Sequence, residues 1–140
     1  MGFEKMFLVA MFFALGSAAQ SNLTFKTRLA PVALDVAMKA NIAGEGTATV
    51  TLAGGKLTIK GTFDGLHSPA TVAQVHQGSA AGVRGGAILD LTVSKAMNGS
   101  LSGSFDLTAE QVDSLKKGKW YIQIDSEKAP QGNLWGWLVK

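Results

Sequence analysis

Alternation of apolar and polar residues with a period of two constrains the fold of this chain most strongly. It is clearest in GTATVTLAGGKLTIKGTFD, residues 46–64, where alanine, valine, leucine, isoleucine and phenylalanine alternate with threonine and lysine. Successive side chains of a β-strand point to opposite faces, so this pattern predicts two strands that each bury one face. The turn Ala53-Gly54-Gly55 favours a tight connection because glycine readily adopts positive φ. We therefore predict a β-hairpin over residues 46–64.

The same alternation recurs in six other short segments, each bounded by residues typical of turns. One short helix is predicted over 108–118, because Thr108 and Gln111 form a capping box and Gly118 suits a helix end. Residues 32–45 are predicted as a loop across a sheet edge, with a helical turn over 33–40 as the alternative. Short connections favour antiparallel pairing, and we predict an all-β fold, an antiparallel β-sandwich. The predicted strands are 22–29, 46–52, 56–64, 71–76, 87–93, 100–107, 119–125 and 132–139.

The first nineteen residues have the composition of a secretory signal peptide. An apolar run of eleven residues, 6–16, is followed by the small residues of GSAAQ, 16–20. Eleven residues are too few to span a bilayer as a helix, which takes about 20. We predict a signal peptide over 1–19, a single domain over 20–140 and no membrane anchor after cleavage. The protein is then secreted, or periplasmic if its source is a Gram-negative bacterium.

Cysteine is absent and the formal net charge is +3. The chain therefore has no disulfide, no thiol nucleophile and no cysteine metal ligand. Its one cluster of positive charge, at 116–119, falls at the predicted helix end, where lysines are ordinarily solvated. From this cluster and the modest net charge we predict no nucleic-acid or other polyanionic partner. Asn22 and Asn98 each begin an Asn-x-Ser/Thr sequence and are candidate N-glycosylation sites in a eukaryotic source.

Three further segments carry a family resemblance: AQVHQGSAAGVRGGAIL at 73–89, GSFDLTAEQVDSLKKGKWYIQID at 103–125, and APQGNLWGWL at 129–138. With the early hairpin, they resemble the chordin-type, or CHRD, domain from about residue 23 to residue 140. The resemblance implies a secreted β-sandwich similar in shape to immunoglobulin and copper/zinc superoxide dismutase domains. Such domains occur beside growth-factor-binding modules in animal chordin and alone in microbes. The resemblance implies a fold and not an activity.

A place for metal chemistry is also implied by the resemblance. Family members typically carry a His-x-His pair and a third histidine on the penultimate strand; the matching positions here are Gln74, His76 and Asp125. If the two strands are neighbours, His76 and Asp125 can form a degenerate zinc or copper site, with Asp90 or His67 as a further donor. One imidazole, one carboxylate and one amide are a poor ligand set for either metal. We therefore favour a structural hydrogen-bonded pair.

Two tryptophans of the last predicted strand, Trp135 and Trp137, lie two residues apart and share a face, while Leu134 and Leu138 take the other. We interpret this strand as packed on one side and covered on the other by the helix or a loop. A platform on which sugar rings stack is the alternative.

No recognised catalytic motif is present: the sequence has no Gly-x-Ser-x-Gly, no His-Glu-x-x-His and no phosphate loop. We predict a secreted, non-catalytic binding or structural module without a cofactor, whose partner is an extracellular protein or a polysaccharide. The alternative is a zinc- or copper-binding enzyme, of redox type, that uses His76 with Asp125.

Overall fold

A computed structural model of the protein describes residues 22–33 and 35–140, so the predicted signal peptide lies outside the described residues. All eight predicted strands and the predicted helix are present, with ends that differ from the prediction by at most three residues. They are β1 (Leu23–Leu29), β2 (Glu45–Ala53), β3 (Lys56–Asp64), β4 (Ala70–Gln77), β5 (Gly86–Val93), β6 (Gly99–Asp106), α1 (Ala109–Lys116), β7 (Trp120–Ser126) and β8 (Ala129–Trp137).

The strands form one antiparallel sheet in the order β1-β2-β3-β6-β5-β4-β7-β8. Ala30, just after β1, exchanges two backbone hydrogen bonds of 3.0 and 2.9 Å with Trp135 of β8, so the sheet curls nearly into a barrel. Strands β5 and β6 are paired at only two positions. The barrel therefore consists of two four-stranded halves, β1-β2-β3-β6 and β5-β4-β7-β8. The predicted all-β antiparallel class is confirmed.

The core between the two halves is filled by the residues that alternation assigns to inner faces. Burial of each large apolar side chain contributes about 1.5–3 kcal/mol to folding. The helix α1 adds one fully buried residue, Leu115, to this core. Side chains with no exposed surface in the core include Val50, Leu57, Ile59, Ile122, Ile124 and Leu134.

The predicted hairpin has the predicted turn. Gly54 and Gly55 have φ of 57° and 86°, and positive φ at both central positions is what a type I′ turn between twisted strands requires. Ala53 pairs with Lys56 across the turn, and the ladder continues to Glu45 and Asp64. Local chemistry is therefore sufficient to set the register of this hairpin.

The helix α1 begins with the capping box expected from the sequence. The Gln111 backbone N–H donates to Thr108 Oγ1 at 3.1 Å, and the Thr108 N–H donates to Gln111 Oε1 at 2.9 Å. Gly118, with φ of 74°, lies just beyond the last turn. Both ends of the helix are thus determined by local hydrogen bonds and backbone conformation.

Replacing Thr108 with alanine should lower the free energy of unfolding by about 1 kcal/mol, because one backbone N–H at the start of α1 loses its acceptor. Urea unfolding monitored by far-UV circular dichroism measures this loss. Ser114→Ala removes a hydroxyl from within the same helix but touches no cap, so it should leave stability unchanged or slightly higher. Equal losses in both variants would contradict the capping role.

Residues 36–40 form a 3-10 helix (Val36–Ala40), so the alternative of a helical turn is confirmed in this region. Asp35 begins it by accepting from the Met38 N–H at 3.0 Å. Ile42 belongs to one apolar cluster with Trp135, Tyr121 and Ala129, and Met38 packs against this cluster. Buried Asn133 anchors this segment by accepting from the Ala43 N–H at 3.0 Å. A loop, and not α1, therefore covers the outer side of β8.

Of the helices in the described part of the chain, none is long and apolar enough to cross a membrane.

Candidate functional site

The outer face of the β5-β4-β7-β8 half carries most of the residues singled out from the sequence. Strand register arranges them in two adjacent rows. We call His76, Tyr121 and Trp137 the aromatic row. The polar row consists of Asp90, Gln74, Gln123 and Trp135, one on each strand in the order β5, β4, β7 and β8.

Ring packing joins the members of the aromatic row. The His76 and Tyr121 rings are stacked with centroids 5.1 Å apart, and the Tyr121 and Trp137 rings are tilted with centroids 4.5 Å apart. Aromatic pairs at such distances stabilise a structure beyond their burial. Tyr121 at the centre is 1% exposed, whereas His76 and Trp137 are half-buried. The row is thus a rigid element with two accessible ends.

The glycine-rich loop after β4, residues 78–85, is held over the aromatic row by its last residue. The Tyr121 hydroxyl accepts from the Gly85 N–H and donates to the Gly85 carbonyl, both at 2.9 Å. His76 Nδ1 lies 2.9 Å from the same carbonyl oxygen. Because a carbonyl can only accept, Nδ1 carries the proton, which leaves Nε2 as the bare nitrogen of neutral imidazole.

Arg84, the residue before this anchor, covers a tryptophan. Its guanidinium carbon is 4.3 Å from the centroid of the Trp135 ring, a cation–π arrangement. Trp135 also belongs to the apolar cluster that contains Ile42 and is only 5% exposed. This confirms the interpretation that β8 is covered on both sides. The larger part of any tryptophan platform is therefore closed to a sugar ring.

Side chains of the polar row are hydrogen-bonded to one another. Gln74 Nε2 donates to Asp90 Oδ1 at 2.9 Å. Gln123 uses both ends of its amide: Oε1 accepts from Trp135 Nε1 at 3.0 Å, and Nε2 donates to Asp125 Oδ1 at 2.8 Å. Such connected networks stiffen a site because each group orients the next.

The three residues considered as metal ligands share the outer face but do not converge. Strands β4 and β7 are neighbours, yet Asp125 lies opposite Val72, four residues along β4 from His76, which corresponds to about 13 Å of strand. Gln74 lies between them and is bonded to Asp90. His67 is exposed in the turn before β4. Within residues 22–33 and 35–140, no three His, Asp or Glu side chains are grouped to hold a metal ion.

One atom of the site is without a partner. His76 Nε2 is buried and makes no hydrogen bond to any described group. A buried acceptor without a donor costs free energy, and such atoms mark places where a ligand or a water can bind. A tetrahedral zinc site takes four ligands, three of them from the protein even where it is catalytic, and the geometry here supplies one nitrogen.

Asp125 is half-buried, and burial raises the pKa of its carboxyl above the ordinary value. The hydrogen bond from Gln123 and the positive charge of a protonated His76 act in the opposite direction and only partly offset burial. The folded state therefore favours the protonated form of Asp125.

Replacing Asp125 with asparagine should consequently stabilise the protein at neutral pH. With a raised folded pKa, the carboxyl's favourable contribution is complete below its unfolded pKa of about 3.9. That contribution is lost as the pH rises through the pKa of Asp125 in the folded protein. An amide avoids this loss and can still accept from Gln123, so the advantage of Asp125→Asn should shrink as the pH falls. Urea unfolding of both proteins, from neutral pH to below the unfolded pKa, measures this difference in the free energy of unfolding.

Asp64→Asn, at the exposed end of β3, controls for the change in net charge. A gain for Asp125→Asn that does not vary with pH would contradict the burial argument, as would a loss at neutral pH.

Both candidate glycosylation residues, Asn22 and Asn98, are exposed. Asn22 immediately precedes β1, and Asn98 lies between β5 and β6. Their modification stays a prediction that mass spectrometry of protein from a eukaryotic host can test.

The period of two along 119–125 puts Tyr121, Gln123 and Asp125 on one face of the strand, but it does not identify what they contact. The double anchor on Gly85, the bridging amide of Gln123 and the stacking of Arg84 on Trp135 were all missed. The available signal was weak: a tyrosine and a glutamine alternating on one predicted face. The two residues of each contact lie 36 positions apart for Gly85 and Tyr121, 12 for Gln123 and Trp135, and 51 for Arg84 and Trp135.

Fold and site together define an all-β domain in which the polar side chains on the outer face of the β5-β4-β7-β8 half are largely held by mutual hydrogen bonds. The chain belongs to the CHRD domain family, because the model of that family matches residues 25–138, nearly the whole chain. The resemblance noted in the sequence is thereby confirmed. The chain matches no curated protein and no solved structure at a significant level.

Proposed function

We propose that this CHRD domain protein acts outside the cell as a non-catalytic binding or structural module. The proposal rests on the hydrogen bonds made by the side chains of the polar row and by Tyr121 beside it. Gln74, Gln123 and Trp135 each hydrogen-bond to another side chain, and Tyr121 to the Gly85 backbone. A reaction centre needs a nucleophile or base free to reach a substrate. Side chains bonded to one another instead form a preorganised surface.

Secretion forms part of this proposal and rests on the composition of residues 1–19 together with the family resemblance. Expression of the full chain in a secreting host should release it into the medium or the periplasm. The amino terminus of the released protein should be Gln20. Protein that stays in the cytoplasm with Met1 intact would contradict secretion.

The partner that fits such a module is an extracellular protein or a polysaccharide. The test is a binding screen of the purified protein against soluble polysaccharides and extracellular matrix proteins, with the recovered ligand analysed for chemical change. Saturable binding of an unchanged ligand supports the proposal. Cleavage or oxidation of the ligand, lost in His76→Ala, would overturn it.

The alternative, a zinc- or copper-binding enzyme using His76 with Asp125, is favoured by one observation, the unpartnered Nε2 of His76. Calorimetric titration with zinc and with copper distinguishes the two functions. Our proposal expects no binding in the micromolar range. Stoichiometric binding that is lost in His76→Ala and weakened in Asp125→Asn would support the alternative, since a free surface histidine would not respond to Asp125.

A further inference from the structure

The outer face of the other half, β1-β2-β3-β6, has a different chemistry. Strand register places twelve side chains on it in three rows of four, and every one carries a hydroxyl or a positive charge. We call this surface the hydroxyl face. Its rows are Thr24, Thr51, Thr58 and Ser104; Lys26, Thr49, Lys60 and Ser102; and Arg28, Thr47, Thr62 and Ser100.

Hydroxyl groups of this face are available to a ligand. Eleven of the twelve residues are exposed, with Thr58 half-buried. None of the nine threonine and serine side chains hydrogen-bonds to another described group of the protein, in contrast to the polar row on the opposite half. Each therefore presents a donor and an acceptor to whatever lies on the sheet.

Positive charge is concentrated in the middle row. Lys26 and Lys60 lie two strands apart, about 10 Å between backbones, and neither forms an ion pair with a described residue. The positively charged side chains nearer the rim form ion pairs within the protein: Arg28 is 3.8 Å from Glu45, and Lys56 is 3.9 Å from Asp106. The face thus has two free amines at its centre and carboxylates only at its ends.

We propose that the hydroxyl face binds an acidic polysaccharide, which lies across the strands with its carboxylate or sulfate groups on Lys26 and Lys60. This inference rests on the proposed function and names its ligand class. Threonine and serine hydroxyls would replace water around the sugar hydroxyls between the two charges. Strands are about 4.8 Å apart, comparable to the length of one sugar unit, so successive strands can contact successive units.

The same chemistry disfavours other occupants. Protein interfaces are built around buried aromatic and aliphatic anchors, and this face has none. Single-stranded nucleic acid requires stacking aromatics together with a basic groove. A neutral sugar would leave the two amines unused. An anionic carbohydrate is the partner that employs every side chain present.

Binding of the purified protein to heparin and to polygalacturonate, with dextran as the neutral polymer, tests the proposal. We expect both polyanions to bind, more weakly at higher salt, and dextran not to bind. The double variant Lys26→Gln/Lys60→Gln should raise the Kd about tenfold, because each exposed ion pair is weak by itself and two are lost together. The single variant Thr49→Val, between the two lysines, should also weaken binding. It should leave the salt dependence unchanged, because it removes a hydroxyl and no charge.

Lys116→Gln/Lys119→Gln is the matched control, because it removes the same two charges at the far end of α1 and should leave Kd unchanged. Equal loss in both double variants would reduce the binding to net charge and overturn the proposal, as would equal binding of dextran or no binding of either polyanion. A further outcome is a partner that binds with an affinity that falls in Arg84→Ala or Trp137→Ala but not in Lys26→Gln/Lys60→Gln. That result would overturn the hydroxyl face as the binding site and would leave the proposed function as a binding module intact.

Discussion

Replacing Trp120 with alanine should lower the free energy of unfolding by about 3–5 kcal/mol, the usual cost of removing a large aromatic side chain from a core. Trp120 begins β7, has no exposed surface and belongs to the main core cluster. Its indole N–H also donates to Gln77 Oε1 at 2.7 Å. The variant therefore leaves a cavity and a partly buried acceptor without its donor. Against a typical total stability of about 5–15 kcal/mol, this is a large share.

Urea unfolding followed by far-UV circular dichroism measures the loss. Trp137→Ala is the matched control, since it removes the same side chain from the half-buried end of the aromatic row and should cost clearly less. Trp120→Phe separates the two contributions: it retains most of the ring volume but leaves Gln77 without its donor, a cost of about 1–3 kcal/mol. If Trp120→Ala is no less stable than Trp137→Ala, Trp120 is not a core residue.

The second large effect is expected at Gly136, where the barrel closes. Gly136 lies on β8 beneath the end of β1, and a Cβ built on it would be 2.6 Å from Leu29 Cδ2 and 2.8 Å from the Arg28 carbonyl oxygen. Its φ is not in the left-handed region, so contact with β1 alone excludes a side chain. Gly136→Ala should force β1 away from β8 and cost about 1–3 kcal/mol, the usual effect of overpacking.

Gly86→Ala is the matched control. Gly86 is also a strand glycine without positive φ, but nothing lies within 4 Å of its Cβ position. It should therefore keep the stability of the parent protein or gain slightly. Amide hydrogen exchange gives a second measurement: Gly136→Ala should selectively speed exchange at Ala30 and Trp135, whose backbones bridge β1 and β8. Unchanged protection at these two amides would show that the closure tolerates a side chain.

Prediction from sequence succeeded for features determined within about ten residues. The inner faces of β2 and β3, the Gly54-Gly55 turn and the capping box at Thr108 all depend on near neighbours. A period of two assigns each side chain to a face whichever strand lies beside it. The same period puts Gln74 and His76 on one face of β4 and Asp125 on one face of β7, but it does not determine what those faces contact.

Strand neighbours could not be predicted in this way. β4 lies between β5 and β7, and β3 lies beside β6, whose residues are about 40 positions away. Alternation states which side of a strand is apolar but not which strand it pairs with, because that choice depends on long-range packing and loop closure. The register of β4 against β7 then separates His76 from Asp125 by four residues.

From its sequence alone, the chain determines eight strands with defined inner faces, one capped helix and membership of the CHRD family, because these follow from short-range periodicity and local motifs. The tertiary structure decides which outward side chains meet. It bonds Gln123 to Trp135, holds Gly85 over Tyr121, and assembles Lys26 and Lys60 into the centre of the hydroxyl face. Those contacts join residues distant in the chain, and only the packing of the whole sheet brings them together.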